Sequence, residues 1–217
     1  MAKKTVYFVI DCSGSMRGNR GDAVNMAMEK VAQEVVPEIK ASKNADLELT
    51  FKFLGFNSVH PNQVFTLMPD CDVDNFTSWN PIPPETFNGG TPTGVALKAV
   101  ADDITGANFG DAPRDAVAPA IILISDGLPN TGTPSYEEMI ECTDKASPKC
   151  IPQFRKALRI TLAMDVDDVG RESLKKFGKV SRRMEAEGIE SYYDCTGDYA
   201  ANFAEILKSV TLNVSVG

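Results

Sequence analysis

Val6-Tyr7-Phe8-Val9-Ile10-Asp11-Cys12-Ser13-Gly14-Ser15-Met16 joins an apolar run to a short loop of oxygen-bearing side chains. The first five residues are all β-branched or aromatic. A run this short, without alternation, reads as a strand buried on both faces, the kind that fills a parallel sheet. At its carboxyl end stand one carboxylate and two hydroxyls at i, i+2 and i+4, with Gly14 between the serines where the backbone can turn tightly. Ligands of open α/β sheets bind in the crevice outside the carboxyl ends of the strands. Hard oxygen donors there suit a hard divalent cation. Asp11, Ser13 and Ser15 are therefore candidate metal ligands.

Two further segments supply what a six-oxygen shell still lacks. Gly89-Gly90-Thr91-Pro92-Thr93-Gly94 is a loop with two hydroxyls that opens a helix-like stretch through Val95, Leu97, Val100 and Ile104. A second apolar run, Ala120-Ile121-Ile122-Leu123-Ile124, ends in Ser125-Asp126-Gly127 and brings a second carboxylate to a second strand end. The three segments together resemble the von Willebrand factor A family and its metal-ion-dependent adhesion site, the D-x-S-x-S, T and D constellation. Asp11, Ser13, Ser15, Thr91 and Asp126 match it position by position. The resemblance implies a Rossmann-like doubly wound sheet, mainly parallel and flanked by helices, in a single domain spanning 1–217. It implies Ser13 and Ser15 as direct ligands of Mg²⁺ (or Mn²⁺ or Ca²⁺), with Asp11 and Asp126 direct or through water. Thr91 would move between the two modes on a mobile Gly89-Gly90 loop, and Thr93 would cap the following helix. The open position on the ion would take an acidic side chain of a partner protein. Within the family the chain is most similar to bacterial tellurium-resistance TerY-type proteins, through Val6 to Gly18 and through Tyr193-Asp194-Cys195-Thr196-Gly197-Asp198, the final helix and Val214. That similarity implies a role in tellurite or stress resistance, and an operon-encoded kinase or phosphatase as partner.

Composition narrows the alternatives. The 217 residues carry 30 acidic against 22 basic side chains, a net charge of -8. Such a surface repels phosphate backbones and anionic lipid, so neither nucleic acid nor membrane is expected as a partner. Lys175-Lys176 and Arg182-Arg183 read as solvated helix ends. Met1-Ala2-Lys3-Lys4 is followed by too short an apolar stretch for a signal sequence, and nothing approaches a membrane span, so a cytoplasmic protein is expected. Five cysteines without C-x-x-C spacing and one histidine speak against structural zinc. Reduced thiols are expected, with a Cys142–Cys150 bridge as the alternative. Cys12 should point away from a hard cation.

Apolar spacing at Val24, Met28, Val31 and Val35 predicts a helix, N-capped by Asp22 and ending near Pro37. Strands are expected at 45–56 and, antiparallel to it, at 64–68, followed by a loop over 69–90. Then come a helix at 92–106, a strand at 118–125, helices within 136–145 and 151–157, and a strand at 159–164. A helix at 170–179, a strand at 190–193 and a helix at 199–212 complete the alternation of a doubly wound sheet.

Asp70-x-Asp72-x-Asp74 lacks the glycine and glutamate of a calcium loop and reads as an acidic surface loop. One of Asp165, Asp167 and Asp168 is expected to cap a helix. His60 has no partner motif and reads as a surface residue. Trp79 is expected to pack its loop onto the sheet rather than to meet a partner. A magnesium-dependent phosphatase-like hydrolase is the rival reading, because Asp11 could be a nucleophile. It would need an aspartate where Ser13 stands and a lysine near Asp126, and a serine hydrolase would need a histidine base. A third reading, a metal-free interaction module, is opposed by all five ligand types being in place. No catalysis is expected.

Overall fold

The computed structural model describes residues 2–42, 47–106, 118–127, 129–195 and 199–216. Six strands form one sheet in the order β3-β2-β1-β4-β5-β6. They are β1 (Ala2–Asp11), β2 (Leu47–Phe56), β3 (Val64–Asp72), β4 (Ala120–Ser125), β5 (Leu158–Ala163) and β6 (Tyr192–Asp194). Every pairing is parallel except β2 with β3. β1 lies between β2 and β4, so the strand order reverses beside it, the switch point at which such sheets open a crevice. Register sets Asp11 against Phe56 on one side, and Ile10 against Ile124 on the other.

Both faces of β1 are covered, which is why its apolar run does not alternate. Val6, Phe8 and Ile10 join one apolar cluster with Val24, Met28, Val31 and Val35, and with Phe203, Leu207 and Val210. These come from α1 (Asn19–Lys30), the turn after it, and α8 (Tyr199–Val216). Tyr7 and Val9 face the other cluster, with Leu97, Val100 and Ile104 of α3 (Thr93–Ile104), Phe154 of α5 (Pro152–Lys156) and Leu174 of α6 (Asp168–Lys175). The doubly wound, mainly parallel sheet expected from the sequence is the fold observed. Among the described residues, no helix is long and apolar enough to cross a membrane.

Several boundaries differ from expectation for identifiable reasons. α1 starts at Asn19 with Gly18 as N-cap, and Asp22 sits in its first turn, favoured by the helix dipole without capping. Pro37 does not end the helix. A π turn over Val31–Val35 precedes α2 (Val36–Ser42), with the Val36 N–H bonded to the Val31 carbonyl five residues back. This widened turn shifts the backbone just where the proline ring would otherwise crowd the preceding carbonyl. β3 runs on through Pro69 to Asp72, because an edge strand tolerates a missing N–H. Asp70 and Asp72 are thus strand residues rather than loop residues. Asp70 pairs with Lys52 at 3.0 Å, Asp72 accepts from Thr50 at 3.4 Å, and Asp74 lies in a 3₁₀ turn.

α4 (Tyr136–Glu141) has the capping box of Ser135 and Glu138. Asp167 caps α6, accepting from the Gly170 N–H at 2.7 Å. α7 (Arg182–Ala186), capped by Ser181, was not expected. All five cysteines are free, so the Cys142–Cys150 alternative is not realised. Residues 45 and 46 of the expected second strand, and Thr196-Gly197-Asp198, lie outside the described residues.

Candidate metal centre

Asp11 ends β1 with its carboxylate wholly buried. Its two oxygens accept from the Ser13 N–H at 2.8 Å and from the Ser125 hydroxyl of the neighbouring strand at 2.6 Å. The chain then turns through a 3₁₀ segment, Gly14–Met16, with Met16 driven into the core. Cys12 is also buried in the core, its thiol 3.6 Å from the Ile10 carbonyl, as expected for a residue facing away from the crevice. Ser13 Oγ lies 3.1 Å from Ser15 Oγ, and Ser15 Oγ donates to Asp126 Oδ1 at 2.9 Å. Four of the five sequence-predicted ligands therefore form one hydrogen-bonded chain across the ends of β1 and β4.

Thr91 reaches the same rim by a different route. The Gly14 N–H donates to the Gly89 carbonyl and the Asn88 N–H to the Cys12 carbonyl, both at 2.9 Å. Thr91 itself is buried, and its N–H donates to Asn130 Oδ1 at 3.0 Å. It makes no hydrogen bond to the other four. The Gly89-Gly90 segment is hydrogen-bonded to the loop after β2. Ser58 holds Gly90 from both sides, accepting its N–H at 2.7 Å through Oγ and donating its own N–H to the Gly90 carbonyl at 3.1 Å. A Cβ at Gly89 would strike Ser58 Oγ at 2.7 Å, so the glycine there permits close packing as well as its positive φ of 75°. Thr93 does not cap α3. It is the first residue of the helix after Pro92, and its hydroxyl is buried without a partner.

Sequence reasoning missed Arg20, Asn130 and Ser58. Arg20 donates to Asp126 Oδ2 at 2.6 Å and to Asp165 at 2.8 Å. Asp165, read in the sequence only as a candidate helix cap, therefore shares the crevice through this arginine. Trp79 packs its loop as expected, its ring 5.3 Å from Phe53 and its indole N–H donating to Asn25 at 2.9 Å. His60 is half-buried against Phe65 rather than free at the surface.

Burial pushes the Asp11 carboxyl up to about 7, against the opposing hydrogen bonds from Ser125 and Ser13, and the nearby charge of Asp126 adds to the rise. Burial likewise raises Asp126, offset in part by Ser15 and Arg20. Two carboxylates that are both costly to ionise call for a cation. All the donors are oxygens, and among the described residues no group of three or more His, Cys, Asp or Glu side chains could hold a metal. The donor set thus fits a hard ion held by two carboxylates with hydroxyls, and does not fit a soft one.

A pH dependence follows from these shifts. A cation must displace the proton that Asp11 holds below about pH 7. Mg²⁺ or Mn²⁺ affinity is expected to fall roughly tenfold per pH unit below that point and to level off above it. Calorimetric titration in buffers of different ionisation enthalpy checks this. Affinity independent of pH with no proton release would remove Asp11 from the binding equilibrium.

A mainly parallel sheet with a crevice of carboxylates and hydroxyls at its switch point defines a Rossmann-like domain whose ligand site lies on the strand ends. Residues 5–182 match the model of the von Willebrand factor type A domain, and the chain belongs to that family. Solved structures agree on the fold. The pilus adhesin SpaC from Lactobacillus rhamnosus GG superposes with a TM-score of 0.66 at 13% identity, over 99% of this chain and 31% of that one. The vWF domain of the type V pili tip protein Mfa5 from Porphyromonas gingivalis gives 0.58 at 14%, over 100% and 97%. Proximal thread matrix protein 1 from the mussel byssus, solved with a zinc-occupied MIDAS motif, gives 0.63 at 14%, over 99% and 48%. The chain thus spans less than half the length of SpaC and of the byssus protein. Comparison with curated protein sequences finds no match.

Proposed function

We propose that this chain, as one domain over 1–217, is a divalent-metal-dependent protein-binding module. Asp11, Ser13, Ser15, Thr91 and Asp126 would hold Mg²⁺, with Mn²⁺ or Ca²⁺ as substitutes. The bound ion would supply a coordination position for an acidic side chain of a partner protein. The observation that carries this reading is the pair of buried carboxylates, Asp11 and Asp126, joined through Ser13 and Ser15 at adjacent strand ends. The likeness to TerY-type proteins extends the proposal to a cytoplasmic role in tellurite or stress resistance, with an operon-encoded kinase or phosphatase as partner. The reading is non-enzymatic: Asp11 has both oxygens engaged by Ser13 and Ser125, and Ser13 stands where a phosphatase would need its acid/base.

Capture of partners from native lysate with and without chelator tests it, with metal affinity measured in parallel. Chelator is expected to dissolve the complex. Thr91→Ala is expected to weaken the complex about tenfold and metal binding by no more than about threefold, because Asn130 holds the Thr91 backbone whatever the side chain. A complex that survives chelator, or equal losses in both quantities, would mean that the partner docks elsewhere.

A further inference from the structure

Arg20 lies in the first turn of α1 and reaches back across the crevice. Its Nη1 lies 2.6 Å from Asp126 Oδ2 and 3.0 Å from the Ser15 carbonyl, while Nη2 lies 2.8 Å from Asp165 Oδ2. The Asp126 side chain has no exposure, the arginine keeps a quarter of its own, and Asp165 is half exposed. Asp126 is thus enclosed between Ser15 on one oxygen and the guanidinium on the other. Asp165 is held in the left-handed region at φ 57°, a conformation uncommon outside glycine, and from there it meets the second guanidinium nitrogen.

We infer that Arg20 is a built-in counter-cation of the crevice, competing with the divalent ion for Asp126 and so setting the metal concentration at which the site loads. The inference rests on the metal-binding reading above. A buried carboxylate needs a positive partner, and truncating that partner leaves it uncompensated. In the metal-free protein the guanidinium fills that role. A dication entering the same cluster meets a like charge already hydrogen-bonded to one of its ligands, and this lowers its affinity. Asp165 gives the guanidinium a second carboxylate to hold when Asp126 turns to the ion. Arg20 is therefore a positioning residue, with opposite effects on the two states of the site: it stabilises the empty one and opposes the loaded one.

The test compares wild type, Arg20→Gln and Arg20→Lys by Mn²⁺ titration and by thermal melting in chelator. Arg20→Gln removes the charge and, being two bonds shorter, also gives up the direct contact with Asp126. It is expected to bind Mn²⁺ about tenfold more tightly than wild type while melting lower when metal-free. Arg20→Lys keeps the charge and should stay near wild type in Mn²⁺ affinity. A purely structural role would lower both stability and affinity in Arg20→Gln. Unchanged or weaker Mn²⁺ binding in a folded Arg20→Gln overturns the role given to Arg20 while leaving the metal site standing. Absence of Mn²⁺ binding in wild type and Arg20→Gln alike overturns both readings. Binding gained only in Arg20→Gln is the strongest support.

Discussion

Asp11→Asn is expected to make the metal-free protein more stable while removing its response to Mg²⁺. Ionised Asp11 is fully buried, with its carboxyl raised to about 7, so the folded state binds its proton more tightly than the unfolded chain does. The sign follows. The stability linked to this proton is complete below the unfolded value near 4, and it is lost as pH rises through about 7. At about pH 8 the full cost falls on the wild type, on the order of 4 kcal/mol at 1.4 kcal/mol per unit over about three units. Asparagine keeps the shape without that cost. Its oxygen accepts from the Ser13 N–H, and its amide donates to Ser125 Oγ, whose own proton can turn to the Gly127 carbonyl at 3.5 Å. Melting in chelator near pH 8 should rise by about 8–16 °C, given roughly 2–4 °C per kcal/mol for a domain of this size. Saturating Mg²⁺ should raise the wild type and leave the variant unmoved. A variant that melts below wild type in chelator, or that keeps the Mg²⁺ shift, would sink this account of the site. Asp11→Ala is the harsher change, since it leaves the buried Ser13 N–H without its acceptor.

Gly94→Ala is expected to cost at least about 3 kcal/mol of stability, at the upper end of overpacking effects. A Cβ at this position in the first turn of α3 would overlap the Pro134 carbonyl and the Ser135 backbone. A flexible side chain could move aside, but this backbone cannot do so without loss. Ser135 carries the capping box of α4, accepting from the Glu138 N–H at 3.2 Å and donating its own to Glu138 at 2.7 Å. Either α3 shifts, taking the Thr91 end of the helix out of the rim, or the α4 cap breaks. Gly106→Ala is the control, because a Cβ there meets nothing within 4 Å among the described residues. Urea denaturation of the two variants separates them. Gly94→Ala with a wild-type midpoint would show that the contact relaxes freely.

How much of this was legible in the sequence depended on how far each feature relied on tertiary placement. β1 and β4 could be read because burial on both faces demands unbroken apolar runs, and their acidic ends stood out against that background. Thr91 could be read because Gly-Gly-Thr opens a helical period. Arg20 could not: its side chain meets carboxylates 106 and 145 residues away, and nothing in its own neighbourhood announces either contact. Pro37 misled because a π turn upstream accommodates it. Pro69 and its flanking acids misled because an edge strand tolerates both. α7 escaped notice because Ser181 caps it without the glutamate that completes the box at Ser135.

β1 shares the centre of the sheet with β4 and precedes it in the chain. It cannot be enclosed until β4 arrives: Asp11 and Ser125, which share a hydrogen bond, are 114 residues apart. During synthesis Val6 to Ile10 must wait as an open apolar edge, first against β2 and then for a neighbour not yet made. Such long-range parallel pairing is slow and exposes the chain to aggregation in the interval. The crevice is thus complete only once the chain extends past Asp126, the residue after β4. A cation binding there would lack Asp126, the second carboxylate, until the chain has passed β4. Its effect would fall on the rate at which the finished domain opens, prolonging the lifetime of the native state without hastening its formation.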